Sequence, residues 1–273
     1  MMRPTGLRFL AVVAVLLLLI VALVACNGDE NDDQDDEPGA TATDPNFEGE
    51  PAPGQGIDTS GVALTPGIET RDGLTLISES EFVYDNRVVV AYLVRNDSQD
   101  TFGNVRAILS FIDAENLELA TYNITSAAAN IAPGQVIALQ GSFPEPDLYA
   151  DISGLVRGVG DIFAGYTPYL DAETDASFDT EQNVVTGTAT NTSSDPLVQL
   201  VAYFILYGET EDDLLQIIPA VPSAGIDEQG FWQPGVTVSF TARVTALPAS
   251  DPSAIKSVQL KVTAYQVDLP ESQ

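Results

Sequence analysis

From about residue 70 onward the chain repeats itself at a spacing of about 95 residues, and no other feature limits its folding as strongly. Four blocks recur in the same order. VVAYLVRNDS (89–98) lines up with VVTGTATNTS (184–193), and NVRAILSFIDAENLELA (104–120) with PLVQLVAYFILYGETEDDLLQ (196–216). IAPGQVIALQGSF (131–143) matches FWQPGVTVSFTARV (231–244), and ISGLVRGVG (152–160) matches IKSVQLKVTAY (255–265). The second copy adds a loop, PAVPSAGIDEQG (219–230). A duplicated unit of this length can bury a core of its own in each copy.

The repeated segments read as strands. Val236, Val238, Phe240, Ala242 and Val244 alternate with Thr237, Ser239, Thr241, Arg243 and Thr245. Val258, Leu260, Val262 and Ala264 alternate in the same way with Gln259, Lys261, Thr263 and Tyr265. A period of two places one set of side chains on each face of a strand. Val88 to Val94 is apolar on both faces, the pattern of a strand in the middle of a sandwich. Asp85-Asn86, Asp113 to Asn116, Pro133-Gly134 and Pro234-Gly235 supply turns. No stretch after residue 26 keeps a helical apolar period for three turns. The expected fold is all-β: two tandem immunoglobulin-like antiparallel β-sandwiches, over 71–166 and 167–273.

The segment ahead of them is of another kind. Arg3 and Arg8 precede sixteen apolar residues, Phe9 to Val24, which end in Leu23-Val24-Ala25-Cys26. A basic start, a short apolar run and small residues at the exit make a secretory signal over 1–25. As a helix the run reaches about 24 Å, short of the roughly 30 Å hydrocarbon core. Leu-Val-Ala-Cys resembles a bacterial lipobox, which implies cleavage between Ala25 and Cys26 and lipid on Cys26. An uncleaved single-span anchor is the other reading, and both put everything after Cys26 outside the cytoplasm. Lipidation accounts for the single cysteine, which otherwise would be an unpaired thiol in an exported protein.

Residues 26–70 read as a disordered tether. Positions 27–37 hold seven acids and no base, and Pro, Gly, Thr and Ala follow. Such sequence buries too little apolar surface to offset chain entropy. Asp29, Asn31, Asp33 and Asp35 alternate as in a calcium loop, but Gln34 and Ala40 replace the Gly and Glu such a loop needs, and no metal site is expected.

Ten bases against forty acids give a formal charge of −30, which excludes nucleic acid as a partner and leaves the N-terminal lipid to hold the protein at the membrane. The absence of histidine removes Ser-His-Asp and Cys-His catalysis and nearly all zinc or copper sites. Carboxylates cluster at Asp171, Glu173, Asp175, Asp179 and Glu181, and again at Glu209, Glu211, Asp212 and Asp213. A glycosidase pair or a divalent cation site would draw on such carboxylates, and solvated turns use the same residues. Phe231-Trp232, beside Pro234-Gly235, either stacks on a sugar ring or caps the core of the second sandwich.

A strand, then Asn-x-Ser, then a strand ending near F-x-L-Y-D, then Pro-Gly resembles the FxLYD family of small bacterial envelope domains. Phe204-Ile205-Leu206-Tyr207 fits with Gly208 at the Asp position, and Leu109 to Asp113 keeps the Asp with altered aromatics. The resemblance implies an immunoglobulin-like fold and no catalytic residues. The expected protein is a non-enzymatic, cofactor-free, membrane-anchored surface lipoprotein that binds or spaces, with an envelope protein or glycan as partner. A carbohydrate-binding module and a cell-wall glycan hydrolase with a carboxylate pair are the alternatives.

Overall fold

The computed structural model describes residues 63–248 and 251–267. The signal, Ala25, Cys26 and the tether as far as residue 62 lie outside the described residues. The last part of the expected tether, Gly67–Thr70, is instead a strand of the first sandwich, with Ile68 packed on its core.

The first copy comprises β1 (Gly67–Thr70), β2 (Leu74–Tyr84), β3 (Arg87–Asn96), β4 (Asn104–Ile112), β5 (Glu118–Thr125), β6 (Val136–Pro144) and β7 (Asp151–Val159). One sheet runs β2-β3-β6 and the other β1-β7-β4-β5. The second copy comprises β8 (Tyr166–Tyr169), β9 (Glu173–Asp179), β10 (Val184–Thr190), β11 (Val198–Tyr207), β12 (Leu214–Pro219), β13 (Val221–Ala224), β14 (Thr237–Arg243) and β15 (Ser257–Val267). Its sheets run β13-β14-β10-β9 and β12-β11-β15-β8. Both are β-sandwiches. Non-consecutive strands pair in each, as in the Greek-key crossing of immunoglobulin-like folds. The copies differ at one edge: β1 pairs with β7 in parallel, whereas β8 pairs with β15 antiparallel.

The turns follow local chemistry. Asp85 and Asn86 both have positive φ, the conformation a tight hairpin between β2 and β3 demands. Gly134 and Gly235 take positive φ directly after Pro133 and Pro234. Each sandwich closes on its own core, around Val90, Tyr92, Leu109 and Phe111 in the first and Phe204, Leu206, Trp232 and Phe240 in the second.

A third cluster lies between the sandwiches and explains why Val88 to Val94 is apolar on both faces. Val90, Tyr92 and Val94 face the first core, while Ala91 and Leu93 face outward with Ala138. That outer face is covered by Ile205, Tyr207, Leu214 and Ile217 of the second copy. The two-sided pattern thus reflects a sheet buried once by its own sandwich and once by the next.

Buried hydrogen bonds complete this junction. Ser78 and Ser80 Oγ donate to the carbonyls of Asp212 and Leu215, each at 3.0 Å. The Tyr265 hydroxyl donates to the Ala129 carbonyl at 2.8 Å and accepts from the Ala129 N–H at 2.6 Å. Asn130 Nδ2 donates to the carbonyls of Phe163 and Tyr166 in the linker, and its Oδ1 accepts from the Phe163 N–H.

The packing is head-to-tail, so two faces remain unused. The faces equivalent to the buried junction carry polar side chains instead. Thr186, Thr188 and Ser239 of the second copy stand where the first has Ala91, Leu93 and Ala138. Arg106 and Ser110 of the first copy stand where the second has Val201 and Ile205. Polar end faces stop a stack of repeats from growing.

Candidate functional site

The family-like motif is first of all a device that holds each sandwich shut. Asn96 and Asn191 are fully buried at the ends of β3 and β10. Asn96 Nδ2 donates to the carbonyls of Asp100 and Ile131, while its Oδ1 accepts from the N–H and Oγ of Ser98. Asn191 repeats this with Asp195, Trp232 and Ser193. A buried amide can donate two hydrogen bonds and accept two at once, which no other side chain of its size does.

The F-x-L-Y-D end of the central strand is also explained. Asp113 Oδ1 accepts from the N–H groups of Glu115 and Leu117 and sets the β4–β5 turn. In the second copy, a Cβ on Gly208 would collide with the carboxylate of Asp213. Asp213 Oδ2 accepts from the Glu209 N–H. The acid has moved across the turn, and glycine makes room for it.

Phe231 and Trp232 separate in the structure. Trp232 is 1% exposed, sits in the second core and donates Nε1–H to the Val236 carbonyl at 2.8 Å. It presents no ring face to solvent, so a sugar-stacking role does not extend to it; alternation at the β11-side bridge to Leu197 turns it inward. Phe231 is 38% exposed. It occupies the position of Asn130, the residue that staples the first copy to the linker. The adjacent loop is organised by Asp227, which accepts from the N–H groups of Gln229 and Phe231 and from Gln233 Nε2. Those hydrogen bonds hold its carboxyl below the usual range, with the Gln233 amide contributing most. Trp232→Ala is expected to destabilise the protein by about 3–5 kcal/mol, as for a large core aromatic, and Phe231→Ala by less than about 1 kcal/mol. Urea unfolding followed by far-UV circular dichroism checks this.

The acidic clusters do not converge. Asp179 Oδ1 caps the β9–β10 turn through the N–H groups of Glu181 and Gln182. Glu173 and Asp175 are exposed on β9, Asp171 is exposed before it, and Asp212 is exposed in the β11–β12 turn. Among the described residues, no three of the acids are grouped to hold a metal ion.

One carboxyl is placed differently, and its sequence context gave no signal. Glu81 on β2 is half-buried and accepts a hydrogen bond from the Tyr92 hydroxyl at 2.5 Å. Burial pushes its carboxyl up to about 7, against the hydrogen bond and with the help of Glu79 and Asp151. A β-bulge between Leu76 and Ser78 shifts the alternation of β2, so that Ser78 and Ser80 face the junction while Glu81 lies across from Val90, on the core side.

No protein-family model matches the chain, and no curated protein matches it.

Proposed function

We propose that this protein is a non-catalytic lipoprotein of the bacterial envelope, in which two β-sandwiches act as one stiff binding and spacing module. The observation that carries this reading is the junction between the copies. Apolar packing around Leu93 and Ile205, with the buried side chains of Ser78, Ser80 and Tyr265 and the Gln135 Nε2 to Thr263 Oγ1 hydrogen bond beside it, fixes the second sandwich on the first. A junction this complete suits a part that must hold its end faces and loops at a set distance and orientation. Loops positioned by such a scaffold are where recognition concentrates. The lipobox-like Leu-Val-Ala-Cys and the resemblance to FxLYD envelope domains supply the location, outside the cytoplasm and held by lipid on Cys26.

Cys26→Ser is expected to abolish labelling by a fatty-acid probe and to leave an unprocessed precursor, while the parent chain is labelled and fractionates with membrane. Processing and labelling of the variant like the parent would rule out the anchor. Purified protein is expected to turn over no peptide, ester or glycan substrate. Turnover lost on Asp175→Asn or Asp212→Asn would overturn the non-catalytic reading.

A further inference from the structure

Three of the eight basic residues within the described part stand side by side on the free face of the first sandwich. Arg106 of β4 is directly opposite Arg157 of β7. The parallel register of β1 on β7, carried one residue past Thr70↔Val156, brings Arg71 alongside Arg157, and the Arg71 N–H donates to the Val156 carbonyl at 2.9 Å. Val105, Ala107 and Val156 point into the core, so Arg106 and Arg157 point outward. Like charges directly opposite on a sheet repel. A chain of net charge −30 has acids to spare, yet none of the three arginines forms an ion pair among the described residues. Arg106 Nε is buried and has no acceptor.

Beside this row lies an open cleft of about 730 Å³, lined by Arg71, Asp72, Ser98, Asp100, Phe102 and Arg157 over a floor of Gly73 and Gly158. Both glycines are structural requirements. A Cβ on Gly158 would strike the Phe102 ring, and one on Gly73 would come within 2.8 Å of Ser98 Cβ, with φ at +75°. Asp72 is fixed by the Gly158 N–H donating to its Oδ2 at 3.2 Å. The Asn96 staple fixes the opposite wall by binding the Asp100 carbonyl and Ser98. The second copy has no such row, because Val201 and Thr263 replace Arg106 and Arg157 at the junction.

We infer that this cleft binds an acidic sugar unit of an anionic glycan, its carboxylate on Arg71 and Arg157 and its hydroxyls on Asp72, Asp100 and Ser98. The cleft lining holds two guanidinium groups and two carboxylates, and Arg106, opposite Arg157 beside the cleft, adds a third positive charge to the arginine side, which suits a single carboxylate there. Glu69 lies one row away along the neighbouring cleft and adds to the repulsion of more highly charged groups. Paired guanidinium groups donate to a carboxylate in bidentate fashion, and aspartates accept from sugar hydroxyls. The half-buried Phe102 supplies an apolar floor. This inference rests on the binding role proposed above and names its ligand class.

The test uses the full chain titrated with tri-galacturonic acid and with its methyl ester, by calorimetry. The acid is expected to bind, more weakly as salt rises, and the ester to show no binding. Arg157→Ala and Arg71→Ala should each weaken binding by roughly tenfold or more, the loss of a charge-assisted pair. Because both side chains are exposed and face like charges, the variants should melt no lower than the parent; Arg157→Gln serves where the alanine variant does not fold. Absence of binding to the acid, equal binding of the ester, or unchanged affinity in the Arg71→Ala/Arg157→Ala double variant would each overturn the cleft assignment. Hydrolysis of the trisaccharide, read separately, would count against the non-catalytic reading instead.

Discussion

Asn96→Ala and Asn191→Ala should each lower the stability of the protein by about 3–5 kcal/mol, among the largest losses open to a single polar substitution here. Each asparagine makes four hydrogen bonds from a fully buried position. Truncation removes all four bonds, each worth about 1 kcal/mol, and strands the Ser98 or Ser193 N–H at a further desolvation cost, while the carbonyls keep other donors. For a body of this size the melting temperature should fall by roughly 10 °C. Asn96→Asp is the sharper variant: it keeps the acceptor for Ser98 but faces the carbonyls of Asp100 and Ile131 with a carboxylate instead of an amide N–H. It should be at least as destabilising as alanine. A loss under about 1 kcal/mol in chemical unfolding would show that the staple is not what closes the sandwich.

The two copies of this staple also show what could be read from residues alone. The order of blocks, the alternation in Val236 to Val244, and the Pro-Gly turns were legible because they are local: period-two burial and positive φ are properties of a few consecutive residues. Val238 and Phe240 are core, and Gly235 has positive φ, as that pattern requires. The junction was not legible, because burial of the second face depends on a partner sheet that no local pattern names. Tyr265 and Thr263 read as outer-face residues, yet both are buried at the junction. Val88 to Val94, apolar on both faces, read as the middle strand of one sandwich, whereas its second face is covered by the next sandwich. Trp232 and Phe231 were adjacent in sequence and inseparable there; one residue of alternation sends the first inward and leaves the second in solvent. The arginine row was hidden for a similar reason, since Arg71, Arg106 and Arg157 are far apart in sequence and only the register across three strands aligns them.

Stability should fall as pH rises from about 5 to 8, and Glu81→Gln should remove most of that slope. Glu81 sits on the core side of β2 with the Tyr92 hydroxyl on its carboxyl, Glu79 and Asp151 contributing negative charge nearby, and Tyr149 alongside. Its folded value of about 7 lies above the ordinary 4.5. Between those values the folded chain holds a proton that the unfolded chain releases, so the contribution of this group is fully present below pH 4.5. It is lost as pH rises, completely so above 7. A separation of this size corresponds to about 3 kcal/mol, reduced to roughly 2 kcal/mol by the partial exposure of the side chain. Glutamine mimics the neutral acid and still accepts from Tyr92, so at pH 8 the variant should melt about 4–8 °C above the parent. At pH 4 to 5 the two should differ little. Asp97 provides the opposite case: the Arg95 guanidinium holds its carboxyl at about 2, so that pair loses its contribution only in strong acid, outside this window. Thermal melts of parent and variant at four pH values decide the matter, and parallel curves would mean that Glu81 is solvated and ordinary.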